Sequence, residues 1–71
     1  MVSYKKLWHI LVDRDMLKKD LSEAAGVSKG TITKLVKNET VNVEILIKIC
    51  DALDCDIGDI MEVLHETVLK R

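Results

Sequence analysis

The sequence predicts an all-α domain built from five short helices around one aliphatic core. Three observations carry this reading. Apolar residues recur at helical spacing in five separate stretches, residues suited to starting or stopping a helix bracket those stretches, and no alternating pattern competes as a strand. The chain has 71 residues, no proline and no Ser-rich linker, so a single domain over residues 1–71 is expected. A chain of this size buries only about 60% of the surface its unfolded form exposes. It therefore has no room for a large catalytic cleft, and an enzyme is not expected. Apolar residues make up 48% of the chain, but aromatics only 3% with no phenylalanine, which makes the core aliphatic.

Helix 1 is expected from Tyr4 to Asp13, where Tyr4, Leu7, Trp8 and Leu11 share one face and Ser3 can cap the start. Helix 2 is expected from Lys18 to Ala25, with Leu21, Ala24 and Ala25 inward and Gly26 able to turn left-handed just past the end. Ser28 is a good N-cap for helix 3, Lys29 to Lys37, in which Ile32, Leu35 and Val36 fall at core spacing. Asn38 is a plausible left-handed stop. Asn42 can cap helix 4, whose apolar face is read as Val43, Leu46, Ile47, Cys50 and Leu53. Asp56, with Asp59 three residues on, caps helix 5, whose stripe is Ile57, Ile60, Met61, Leu64 and Val68.

Two cysteines supply neither a disulfide framework nor a paired ligand motif, and no segment has the organisation of a signal peptide. A reduced, cytoplasmic protein is expected. Apolar runs such as Ile45 to Ile47 fall far short of the ~20 residues a membrane span requires, so no membrane association is expected. Net charge is −1, yet it is unevenly distributed. Residues 1–38 carry eight Lys or Arg against four Asp or Glu, a net of +4, while residues 39–71 carry three against eight, a net of −5. Such asymmetry can create a locally attractive field for an anionic partner, or can be two ordinary solvated surfaces.

The most informative stretch runs from Lys18 to Leu35, where a short helix, the turn Gly26-Val27-Ser28 and a second short helix follow without slack. Gly26 can reverse the chain without a Cβ clash, Val27 can drop into the core as a pivot, and Ser28 starts the next helix at a fixed angle. The second helix then projects as a rigid probe that can enter a major groove.

Through Leu21, Ala25-Gly26-Val27-Ser28, Ile32 and Leu35 the sequence resembles the Cro and phage-repressor, or XRE-like, family of helix-turn-helix regulators. Leu46 to Leu53 and Asp56 to Ile60 look like that family's helix 4 and the entry to its helix 5, so the resemblance covers nearly the whole chain. It implies a five-helix, lambda-repressor-like fold and a regulator that binds double-stranded operator DNA as a homodimer, without catalysis or cofactor. The chain departs from the usual pattern at Leu17, where a polar cap is common, at Ser22 for alanine, at Val36 for glutamate, and at Glu39, where basic residues are frequent.

Lys29, Gly30, Thr33, Lys34 and Lys37 fall within an arc of roughly 140° on helix 3, away from its apolar residues. The resemblance makes Lys29, Thr33 and Lys34 base readers, since lysine can donate to guanine O6 and N7. Gly30 has no side chain and instead permits close approach to a thymine methyl or the sugar-phosphate backbone. Lys18, Lys19, Ser28, Lys37 and Asn42 are the phosphate candidates. Ser28 and Asn42 are explained almost as well by capping, and Lys18 and Lys19 by solubility.

Other residues are set aside. Cys50 reads as core, and five-residue spacing turns Cys50 and Cys55 in different directions if both are helical. His9 and His65 match no catalytic or zinc arrangement, and Trp8 reads as a core anchor rather than a base-stacking residue. Val63 and Thr67, at the edge of the helix 5 stripe, mark the expected homodimer seam, against the plainer reading of an incidental exposed valine. The alternative function is a protein-interaction module, such as an antitoxin-like partner with the same fold.

Overall fold

Residues 1–65 are described by the computed structural model. In order they form β1 (Val2–Ser3), α1 (Lys5–Asp13), α2 (Lys18–Ala25), α3 (Lys29–Val36), α4 (Val43–Leu53), α5 (Ile57–Ile60) and β2 (Glu62–Val63). The core draws Leu7 and Leu11 from α1, Leu21 from α2, Ile32 and Leu35 from α3, Leu46, Ile49, Cys50 and Leu53 from α4, and Ile60 from α5. Tyr4 and the turn residue Val27 complete it. Each fully buried aliphatic side chain contributes about 1.5–3 kcal/mol relative to an exposed one. α2 packs chiefly on α4, and α1 on α5, while α3 packs mainly on α2.

The four longer helices end in the same way. A residue in the left-handed region follows each: Asp15 (φ 54°), Gly26 (φ 69°), Asn38 (φ 58°) and Asp54 (φ 54°). The next amide then reaches back five residues: Met16 donates to the Leu11 carbonyl at 2.8 Å, Val27 to Ser22 at 3.1 Å, Glu39 to Lys34 at 2.9 Å and Cys55 to Cys50 at 3.1 Å. This closure satisfies carbonyls that the helix leaves unpaired and reverses the chain within two residues. Gly26 and Asn38 are the stops read from the sequence; Asp15 and Asp54 do the same work at positions that carried no glycine or asparagine signal.

Helix starts are less uniform. Ser28 caps α3 with its hydroxyl, which accepts from the Thr31 amide at 3.1 Å. Asn42 occupies the N-cap of α4 with extended dihedrals but makes no side-chain capping bond, which corrects the capping role expected for it. Leu17 precedes α2 and has no polar atom to offer, so only the reciprocal bond forms, from the Leu17 amide to the Asp20 carboxylate at 2.8 Å. Asp59 serves the Asp56 amide likewise at 2.9 Å. α1 begins at Lys5 rather than Tyr4, and the Ser3 hydroxyl accepts from the Lys5 amide at 3.3 Å.

Tyr4 does more than anchor α1. Its hydroxyl donates to the Glu39 carbonyl at 2.8 Å, and its amide donates to the Asn38 side-chain oxygen at 3.1 Å. Two bonds thus clasp the N-terminal segment to the turn after α3. The ring is 1% exposed, and burial pushes the phenol above its ordinary pKa.

The fifth helix differs most from expectation. It is one turn, Ile57–Ile60, after which Met61 is extended (φ −147°, ψ 164°) and β2 pairs antiparallel with β1, Val2 opposite Val63 and Ser3 opposite Glu62. The Leu64 amide donates to the Met1 carbonyl at 2.8 Å. Val63 therefore lies on a strand, not on the edge of a helical stripe. The pairing joins residues 61 and 59 positions apart, so local periodicity carries no trace of it. Val68 and Thr67 lie outside the described residues. Smaller corrections concern faces: Val36, Val43 and Ile47 are exposed, and Ile45 and Ile49 take the inward positions on α4. The apolar run of α4 is so continuous that its inward side is set by which partner, α2, lies against it. Ala24 also faces solvent, and α3 ends at Val36.

A Cβ on Gly26 would meet nothing within 4 Å, so a side chain there is opposed by the backbone conformation rather than by a clash at Cβ. Gly26→Val should lose about 1–2 kcal/mol and lower the melting midpoint by about 4–8 °C for each kcal/mol. An unchanged thermal midpoint would remove the left-handed turn. Tyr4→Phe keeps the ring but leaves the Glu39 carbonyl unpaired, and a urea titration should register a loss of about 1–2 kcal/mol.

Candidate nucleic-acid interface

The turn between α2 and α3 is braced from three sides. Gly26 adopts the left-handed conformation, Val27 is buried, and the Ser22 hydroxyl donates to the Val27 carbonyl at 2.6 Å. Ser22, which stands where the resembled family commonly has alanine, thus ties α2 to the far side of the turn. Nothing in its spacing signals that bond, because it depends on where the turn returns the chain. Ser28 then bonds the Thr31 amide, and its hydroxyl lies 3.0 Å from that of Thr31. Thr31, half-buried, is a supporting residue absent from the sequence reading; a hydroxyl residue three positions after an N-cap serine is the signal that could have found it.

With Ile32 and Leu35 buried, α3 turns Lys29, Gly30, Thr33 and Lys34 to solvent, and Lys37, its C-cap, is exposed beside them. The Thr33 hydroxyl donates to the Lys29 carbonyl at 3.1 Å, which leaves its oxygen free to accept from a base but not to donate to one. A Cβ on Gly30 would lie 3.7 Å from the Ser28 hydroxyl, an ordinary contact. The fold accordingly does not require glycine at position 30.

Beside this face lies a shallow depression of about 240 Å³, lined by Lys18, Lys19, Ser22, Lys29, Ile32 and Thr33. Three lysines from two helices converge there, although eleven residues separate Lys18 from Lys29. The amino ends of α2 and α3 add partial positive charge from their unpaired amides. Lys18 is also held from behind: its ammonium sits 5.1 Å from the centre of the Trp8 ring. Trp8 is half-buried rather than a full core anchor, and it supplies a π face to this cation. Lys34, Lys37 and Asn42 do not line the depression, and all three are exposed. Glu39 is exposed too, while its carbonyl is engaged by Tyr4.

Other groups lie apart. His9 and His65 are exposed, and the described residues contain no cluster of three or more His, Cys, Asp or Glu arranged to hold a metal. No helix among the described residues is long and apolar enough to cross a membrane. Cys55 lies past the end of α4, so the divergence expected of two helical cysteines does not apply; burial, with Cys55 as neighbour, pushes the Cys50 thiol up to about 11.

Comparison with known proteins agrees with this geometry. The family described as the Cro/C1-type HTH DNA-binding domain matches residues 6–66. No curated protein sequence matches the chain. Among solved structures, the crystal structure of the transcriptional regulator VanUg (Form II) is similar at 58% identity, with a TM-score of 0.86, covering 92% of this chain and 87% of that one. The braced turn, the outward polar face of α3 and a match extending from α1 past β2 place one conclusion beyond the motif alone: the chain belongs to the Cro/C1-type helix-turn-helix DNA-binding family.

Proposed function

We propose that this protein is a sequence-specific transcriptional regulator that inserts α3 into the major groove of operator DNA and acts as a homodimer, without catalysis or cofactor. The observation that carries the reading is the convergence of Lys18, Lys19 and Lys29 on one depression beside the exposed face of α3. The lining itself is mainly apolar, so it is the three ammonium groups on these stems that would meet a backbone phosphate, and a phosphate held by them would set the depth and register of α3 in the groove. Lys29 and Lys34 then meet base edges, with Thr33 as a further contact and Gly30 allowing close approach. Lys37 and Asn42 are assigned to phosphates further along the same strand, Asn42 with a side chain that capping leaves unused. Similarity to a solved transcriptional regulator supports the regulatory role.

Selection of bound fragments from genomic DNA tests the reading as a whole; absence of any enriched sequence would overturn it. On the selected operator, Lys34→Ala should weaken binding by about 1–3 kcal/mol and relax preference at one position. Lys18→Ala should instead weaken binding on all sequences alike and reduce the slope of log affinity against log salt by about one. Equal loss on every sequence for Lys34→Ala would make it a phosphate contact.

A single domain of this size reads a short segment, and two-fold pairing doubles the contacts on a near-palindrome. Val63 remains the proposed seam residue. It is 58% exposed, on a two-residue strand whose neighbours Met1 and Leu64 are exposed as well. Thr67, proposed with it, lies outside the described residues. Sedimentation on a duplex with two half-sites should show two chains per site, and Val63→Glu should weaken pairing while the helical circular dichroism is unchanged. One chain on the full site, or unaltered pairing of Val63→Glu, would rule the seam out.

A further inference from the structure

The chain's two cysteines, both free thiols, have no part in the DNA-binding reading. Cys50 lies on the inward face of α4 at 8% exposure, and Cys55 stands two residues past the end of that helix, half-buried against the core. The helix stop brings them together. Asp54 turns left-handed, and the Cys55 amide donates to the Cys50 carbonyl at 3.1 Å. This closure regularly brings the side chains at its two ends into contact, and here Cys55 is the nearest titratable neighbour acting on the Cys50 thiol.

We infer that Cys50 and Cys55 form a dithiol that closes reversibly to an intrachain disulfide across the C-terminal end of α4. A disulfide requires Cα atoms about 4.4–6.8 Å apart with the Cβ atoms facing each other. The five-residue closure, with the Cys55 amide 3.1 Å from the Cys50 carbonyl, brings the two backbones together locally, so no helix has to move relative to another. A closed zinc site takes four ligands, and no group of even three metal-binding side chains occurs among the described residues. The pair therefore serves two-electron thiol chemistry rather than a structural metal.

The two thiols have different parts. Burial raises the Cys50 thiol to about 11, so it does not open the reaction. Cys55, the less buried, loses its proton and its thiolate attacks one sulfur of a small-molecule disulfide; that bond breaks, and the departing half leaves as a thiol with the proton. The Cys50 thiol, losing its proton as it attacks, then bonds the Cys55 sulfur and expels the second half as a thiol. The protein is oxidised by two electrons, and the small disulfide is reduced to two thiols. Closure joins the end of α4 to the segment leading into α5, which packs on α1 and α4. The exposed face of α3 takes no part, so the oxidised chain keeps its groove-reading surface.

The test incubates the reduced full chain with oxidised glutathione under native conditions, blocks remaining thiols by alkylation, and measures intact mass and linked peptides. The expected product is lighter than the reduced chain by two hydrogens, has no alkylatable thiol, links Cys50 to Cys55 and reverts with dithiothreitol. It should keep its helical circular dichroism and melt at a higher temperature, since the bond constrains the unfolded chain. Cys55→Ser, a change outside any helix, should abolish closure and leave Cys50 unmodified while the protein stays folded. A persistent glutathione adduct on Cys55, a chain-to-chain disulfide, or an unchanged mass under conditions that oxidise the urea-unfolded chain would overturn the inference. So would a lower melting temperature of the closed form.

Discussion

The relation between α2 and α3 depends on one closure, the bond from the Val27 amide to the Ser22 carbonyl around left-handed Gly26. It ends α2, reverses the chain and aims Val27 into the core in two residues. Ser28 can then cap α3 at once, so the two helices have no loop in which to vary their angle. The Ser22 hydroxyl adds a second bond across the same turn. A probe that must enter a groove has to be stiff relative to its support, and here stiffness comes from backbone geometry rather than from a large interface. That matters because α3 packs mainly on α2 and turns its polar face outward.

The same closure recurs after α1, α3 and α4, at Asp15, Asn38 and Asp54. Asp and Asn tolerate the left-handed region better than other side chains, though less freely than glycine. A chain of 71 residues with three glycines thus stops four helices with one device and keeps its connections short. Each stop also places a particular side chain. Asn38 offers its side-chain oxygen to the Tyr4 amide, and the stop after α4 sets Cys55 against Cys50. Termination and tertiary assembly are therefore the same events in this small domain.

Around that frame, charge is separated from packing. The buried residues among those described are all apolar or tyrosine, and the lysines of α2 and α3 stand at the edge of the cluster. Trp8, half in and half out, mediates between the two: one side rests on the core while its face supports the Lys18 ammonium. Ordering of a long lysine side chain costs entropy, and a ring already fixed by packing offsets part of that cost before any anion arrives.

Much of the fold was legible in the sequence because helix starts, stops and faces are local. Gly26, Asn38 and Ser28 were recognisable by backbone preference, and Leu21, Ile32 and Leu35 by spacing. The motif they form carried the family, and the exposed face of α3 followed from helical geometry. Where partners are distant in the chain, the sequence alone could not decide. β2 exists because Val63 meets Val2, Tyr4 has its role because Asn38 and Glu39 return to it, and Lys18 leans on Trp8 rather than standing free. The inward side of α4 was likewise set by α2, since Val43, Ile45, Ile47 and Ile49 are equally apolar and only packing sorts them. Local propensity is written in neighbouring residues; the choice among equally apolar faces, and every bond across the fold, is made only when remote segments compete for the same core.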